Sequence, residues 1–103
     1  MDRIEKLKEF LRQTPEDSFL KYALALEYKK IGDDAQALSW FESVLENDPA
    51  YVGTYYQVGK FWEEKGDTAK AISYYEKGLE AAKNANDRHA ANELRSALDE
   101  LVD

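Results

Sequence analysis

Apolar residues recur along this chain at helical spacings. They fall at Ile4, Leu7, Phe10 and Leu11, then at Leu20, Leu24, Tyr28 and Ile31, then at Leu38, Phe41, Val44 and Leu45. Steps of three and four residues mark one buried face of a helix, whereas a half-buried strand would alternate. Punctuation stands between the stripes. Thr14-Pro15-Glu16-Asp17 reads as a helix start, with a Thr N-cap, Pro in the first turn and acids near the positive end of the dipole. Asp48-Pro49 reads as the same start again. Asp33-Asp34-Ala35-Gln36 has the form of a capping-box variant, and Gly32 before it suits the end of the preceding helix. The pattern predicts six helices, at about 2–13, 15–31, 34–46, 49–65, 68–83 and 87–101, with ends good to about 2–4 residues. The joining turns are short, so neighbours run antiparallel. Lys83-Asn84-Ala85-Asn86 lacks the proline of its two counterparts. A longer last turn and an out-of-phase last helix are expected there.

A second periodicity lies over the first. Pro15 returns as Pro49, Gly32-Asp33 as Gly66-Asp67, Tyr22 as Tyr56 and Tyr28 as Trp62. Ala37 returns as Ala71, Phe41 as Tyr75 and Leu45 as Leu79, always 34 positions on. No helix or strand has so long a period. It is the length of one supersecondary unit laid against a copy of itself. Such arrays present extended surfaces and bind more often than they catalyse.

The segments YALALEYKKIGDDAQALSWFESVLENDP (22–49) and YYQVGKFWEEKGDTAKAISYYEKGLE (55–80) resemble two tetratricopeptide repeats, as found in small stand-alone bacterial proteins of that family. The first carries Leu24-Ala25, Tyr28, Gly32-Asp33, Ala37, Phe41, Leu45 and Pro49; the second carries Tyr55, Val58-Gly59, Trp62, Gly66-Asp67, Ala71, Tyr75 and Leu79. It departs from the pattern at Gly78, where Ala is common, and at Lys83, where Pro is common. The resemblance covers residues 18–84. It implies an all-α fold, an antiparallel helix-turn-helix solenoid of about six helices. As one domain over 1–103 this divides into a leading half repeat (1–14), repeats at 15–50 and 51–84, and a C-terminal capping helix (85–103). Ala25 and Gly59 are expected at the crossings of first and second helices, facing Ala37 and Ala71, because axes about 8–10 Å apart need small side chains. Arg3 and Glu93 occupy the matching positions of the end helices. Bulky charges there fit the caps of an array and lead to the expectation of a complete, self-capped protein.

Composition narrows the function. The chain has 103 residues, 44% hydrophobic, and a net charge of −7. A negative field argues against nucleic-acid and anionic-membrane partners. No apolar run approaches the roughly 20 residues of a membrane span. There are no cysteines, and Met1-Asp2-Arg3-Ile4 leads into no apolar signal core, so a cytoplasmic protein is expected. No set of reactive groups converges. His89 and Glu93 form an i, i+4 pair, but two ligands do not hold a metal and no second His or Cys completes them. Asp33-Asp34 and Glu63-Glu64 are neighbours on helices, pointing about 100° apart. Catalytic residues, metal ligands and cofactors are therefore all expected to be absent.

The resemblance implies where a ligand would sit. In the family, first-helix side chains turned away from the second helix line the inner groove. Here those include Phe19, Tyr22, Leu26 and Lys30 in the first repeat, and Tyr56, Gln57 and Lys60 in the second. They form either an aromatic, water-facing strip that anchors a protein or peptide partner, with Lys60 meeting a carboxylate, or a set packed on itself or on a shifted terminal helix. One subset of the family clamps C-terminal carboxylates with Lys, Asn and Arg. The matching positions here are Tyr22, Leu26, Gln57, Asp87 and Ala91, which supply no clamp. The expectation is a non-enzymatic binding module. The alternative is a homodimer formed through the apolar stripe of the first helix.

Overall fold

The computed structural model describes residues 2–102. Six helices run through them: α1 Arg3–Gln13, α2 Ser18–Lys30, α3 Asp34–Asn47, α4 Gly53–Glu64, α5 Thr68–Asn84 and α6 Arg88–Val102. The chain divides into two compact units, Met1–Asp48 and Pro49–Asp103. In the first, α2 packs against both α1 and α3; in the second, α5 packs against both α4 and α6. This is the all-α helical-repeat class that the periodicity predicts.

Three turns share one construction. At Ile31-Gly32-Asp33, the Gly32 N–H donates to Lys29 O (3.1 Å) and the Asp33 N–H to Tyr28 O (2.9 Å). Gly66 and Asp67 repeat this onto Glu63 O and Trp62 O, and Asn86 and Asp87 onto Lys83 O and Ala82 O. Each is a Schellman ending, in which a residue at positive φ caps one helix. Gly32 and Gly66 have φ 82°, and Asn86 has φ 57°. The aspartate that follows then opens the next helix. Asp33, Asp67 and Asp87 accept from the N–H groups of Gln36, Lys70 and Ala90 at 3.0–3.2 Å. The last turn is thus not longer, as the missing proline led us to expect. Asn tolerates the left-handed region and does at 86 what glycine does at 32 and 66. Asp87→Ala is expected to lower stability by about 1 kcal/mol through loss of this cap, read as a shift in thermal midpoint. Asp99→Ala, at an exposed site late in α6, should leave it unchanged.

The two proline turns differ from the expected helix starts. Thr14 ends α1 rather than opening α2. Its N–H and its hydroxyl both donate to Phe10 O, at 3.1 and 3.2 Å. Pro15 disfavours a helical Thr14, and the Asp17 N–H closes a turn onto Thr14 O at 3.1 Å. Asp17 is the N-cap of α2, accepting from Leu20 N–H at 3.0 Å. Likewise Asp48 ends α3, with its N–H on Val44 O at 2.8 Å. Residues 49–52 form a loop, and α4 opens after Val52 with no side-chain cap. The Tyr55 hydroxyl holds that loop by donating to Pro49 O at 2.6 Å.

Burial follows the helix stripes. Leu7, Leu11, Leu24, Ala25, Tyr28, Ala37, Phe41 and Val44 are buried in the first unit. Tyr55, Val58, Ala71, Tyr75, Ala82, Leu94 and Ala97 are buried in the second. The small residues sit where crossings need them, but their neighbours refine the expectation. Gly59 is approached by the ring of Tyr75, not chiefly by Ala71; a Cβ there would clash with Cε1 and Cδ1 of that ring. Gly78 is closed from two sides, since a Cβ would lie 2.5 Å from Tyr55 Cβ and 3.1 Å from Leu94 Cδ2. Glycine at 78 is therefore what lets α5 lie against α4 and α6 together. In α6 the buried positions are Leu94 and Ala97, while Glu93, the position 34 beyond Gly59, is exposed. Leu94 and Ala97 lie 34 positions beyond the half-buried Lys60 and Glu63 of α4, so the buried face of the last helix is shifted from that of α4.

Candidate functional site

The structure places the sequence-predicted strip in two pieces, one on each unit. On α2, Phe19 is 62% exposed and Tyr22 and Leu26 are half-buried. Tyr22 leans edge-on against Phe41 in the core, with ring centroids 5.7 Å apart. It therefore serves packing on one side and presents its other side outward. Lys30 is exposed, with its ammonium 3.5 Å from Glu27 on the same helix.

On α4, Tyr56, Gln57 and Lys60 are all half-buried. Tyr56 tilts against Tyr75 at 6.1 Å between centroids, and the Lys60 ammonium lies 5.5 Å from the Tyr56 ring. That ammonium also lies 3.7 Å from Glu63 Oε1. The same carboxylate oxygen accepts a 2.8 Å hydrogen bond from the Tyr75 hydroxyl. Burial, then that hydrogen bond, then the charge of Glu63 push the Tyr75 phenol far above its ordinary value. It stays protonated and keeps donating, so Glu63 is fixed in place beneath Lys60. Both strip lysines thus face a carboxylate of their own helix, and a ligand carboxylate at Lys60 would compete with Glu63.

Tyr56 and Lys60 form one wall of a hollow of about 370 Å³ whose other wall is α6, with His89, Glu93, Ser96, Ala97 and Glu100. The sequence reading weighs Glu93 as an end cap and as a partner of His89, and does not place Glu100 at a site. The available signal was the spacing 89, 93, 96, 100, which puts those residues on one polar stripe of a helix. Among the described residues, no cluster of His, Cys, Asp and Glu could hold a metal ion, and no helix is long and apolar enough to cross a membrane.

On α1, Leu7 and Leu11 are buried within the first unit and Ile4 is half-buried. Only Phe10 of that stripe stands well into solvent, at 53%. Arg3 is exposed and paired with Glu27 at 3.4 Å.

This is the construction of a helical-repeat protein. The tetratricopeptide repeat profile matches residues 20–51 and 52–84, and the chain belongs to that family, whose fold generally serves as a protein–protein interaction module. It is 30% identical over 98 residues, 95% of this chain and 93% of the other, to a TPR repeat-containing protein of Pseudomonas aeruginosa. Among solved structures it resembles a tetratricopeptide repeat domain protein from Salinibacter ruber (41% identity, TM-score 0.81, 85% of this chain and 89% of that one). It also resembles a protein of Bordetella parapertussis (29% identity, TM-score 0.82, 98% and 88%).

Proposed function

We propose that this chain is a non-enzymatic adaptor that binds peptide segments on the outward face of α2 in the first unit and, separately, on the outward face of α4 in the second. Phe19, Tyr22, Leu26 and Lys30 form the contact on the first unit, and Tyr56, Gln57 and Lys60 the contact on the second. The observation that carries this reading is the α4–α6 hollow. A half-exposed aromatic ring there stands opposite an aligned polar stripe. Water-facing aromatics are recurrent anchors of protein contacts, because they offer large area with few rotatable bonds. The charge around the hollow favours a basic residue in the ligand. Lys60 is balanced by Glu63, while Glu93 and Glu100 face the same space, within a chain of net charge −7. A cation arriving there is steered by the whole field toward Glu93 and Glu100, which line the hollow.

A peptide array probed with the chain tests this. Retained peptides are expected to pair an apolar or aromatic residue with Lys or Arg. Phe19→Ala should leave the melting curve unchanged within about 0.5 kcal/mol, as at other exposed sites, and should weaken capture. Tyr56→Ala loses its contact with Tyr75, about 1 kcal/mol, and should weaken capture more. Capture that survives both changes, while Phe41→Ala abolishes it by costing about 3–5 kcal/mol of stability, would place binding elsewhere on the fold.

A further inference from the structure

The first unit carries a second concavity, on helices that the proposed peptide strips do not use. Lys8, Leu11 and Arg12 of α1, Pro15 of the following turn and Trp40 of α3 enclose a hollow of about 390 Å³. In α1, positions 8, 11 and 12 follow the i, i+3, i+4 spacing of one helix face, and Pro15 closes the notch from the turn that follows. Leu11 is buried and forms the floor, Trp40 is half-buried and forms a wall, and Pro15 and both cations are exposed. Trp40 is not explained by the repeat core. Its neighbour Phe41 takes the buried position at 2% exposure, and adjacent helical residues point about 100° apart. The indole therefore cannot share the Phe41 site against α2.

We propose that this notch is a separate docking site for an acidic protein segment that inserts one apolar side chain between Trp40, Leu11 and Pro15. Charge complementarity selects the occupant. The Lys8 ammonium lies 5.6 Å from the Tyr28 ring, a contact that leaves its charge unneutralised. Arg12 has a side chain 74% exposed, and its pair with Glu9 is long, at 3.9 Å. An exposed pair of that length contributes little, so a ligand carboxylate exchanges for Glu9 at small cost. Two cations on the rim of an apolar notch fit a leucine-like side chain with an acid on either side. They do not fit a nucleic acid or a lipid surface, which would need a broad positive field that a chain of net charge −7 lacks. The size agrees, since the hollow lies at the low end of the roughly 300–1,000 Å³ of ligand pockets, room for one large side chain and its flanking backbone. The net charge of −7 repels an acidic segment at long range, so these two cations act at short range. Screening confines the repulsion to about 8–10 Å at ordinary ionic strength.

Fluorescence anisotropy with a short fluorescein-labelled peptide, a central leucine between aspartates, tests the site. Binding that falls with salt is expected. Control peptides with asparagine for aspartate, or serine for leucine, should each bind about tenfold more weakly or worse. Lys8→Glu with Arg12→Glu changes only exposed side chains, so the fold is kept, and should lower affinity at least as much. Trp40→Ala, checked by its melting curve, should do the same. Phe19→Ala and Tyr56→Ala should have no effect, which separates this site from the strips on α2 and α4. Unchanged affinity in the charge-reversed variant, or equal binding of the asparagine peptide, would overturn the proposal. So would a loss with Phe19→Ala as large as with Trp40→Ala. Sedimentation showing a dimer that Arg12→Glu dissolves would assign the notch to a second copy of the chain, and would overturn it as well.

Discussion

Ala71→Glu is expected to unfold the second unit at room temperature. Ala71 is 0% exposed, in the first turns of α5, where its N–H bonds to Asp67 O at 3.1 Å. A glutamate there must either bury an unpaired carboxylate or push α5 off its neighbours. The first costs several kcal/mol even after relaxation, and the added volume costs about 1–3 more. One effect works the other way. An acid near a helix N-terminus gains about 0.3–1 kcal/mol from the dipole, too little to offset the rest. Domains of this size hold only about 5–15 kcal/mol in total. Circular dichroism against temperature is the measurement. A midpoint within about 5 °C of the parent, the shift expected for roughly 1 kcal/mol, would mean that α5 does not bury this face and that the 34-residue register is wrong.

Gly59→Ala should destabilise by about 2–4 kcal/mol, against the ordinary rule that alanine strengthens a helix by about 1 kcal/mol over glycine. The reason is the Tyr75 ring, which occupies the space of the missing Cβ. Tyr75 cannot step aside cheaply. It is 0% exposed and tied to Glu63 through its hydroxyl at 2.8 Å, a bond to a charged acceptor of the kind that contributes about 1.5–3 kcal/mol. A double-mutant cycle isolates the clash. On a Tyr75→Ala background, itself severely destabilised, Gly59→Ala should cost nothing further and should recover part of its helix propensity. Equal costs on both backgrounds would show that the ring is not what keeps position 59 a glycine.

Much of the fold is legible in the residues because it is local. Gly32-Asp33 and Gly66-Asp67 encode a Schellman ending followed by an N-cap within a few residues, and the 34-residue spacing of aromatics and alanines encodes the repeated unit. The proline turns misled for an equally local reason. Pro at the first turn of a helix and Pro just after a helix end look alike in sequence, and only the bonds from Thr14 and Asp48 back to α1 and α3 tell them apart. The turn at Asn86 was obscured because asparagine enters the left-handed region only when its surroundings require it.

The residues alone thus determined the six helices of the described residues, the family and the small positions at the crossings, since each depends on chemistry between near neighbours or on a repeat that can be counted. Tertiary structure decided the rest. It set which face of α6 meets α5, burying Leu94 and leaving Glu93 and Glu100 to line a hollow with Tyr56. It gave Glu63 to Lys60 and Tyr75 together, and brought Trp40 beside Lys8 and Arg12. Those outcomes depend on how far each helix is rotated about its axis when it packs. A rotation of one residue, about 100°, exchanges a core position for a surface one while leaving the sequence pattern almost unchanged.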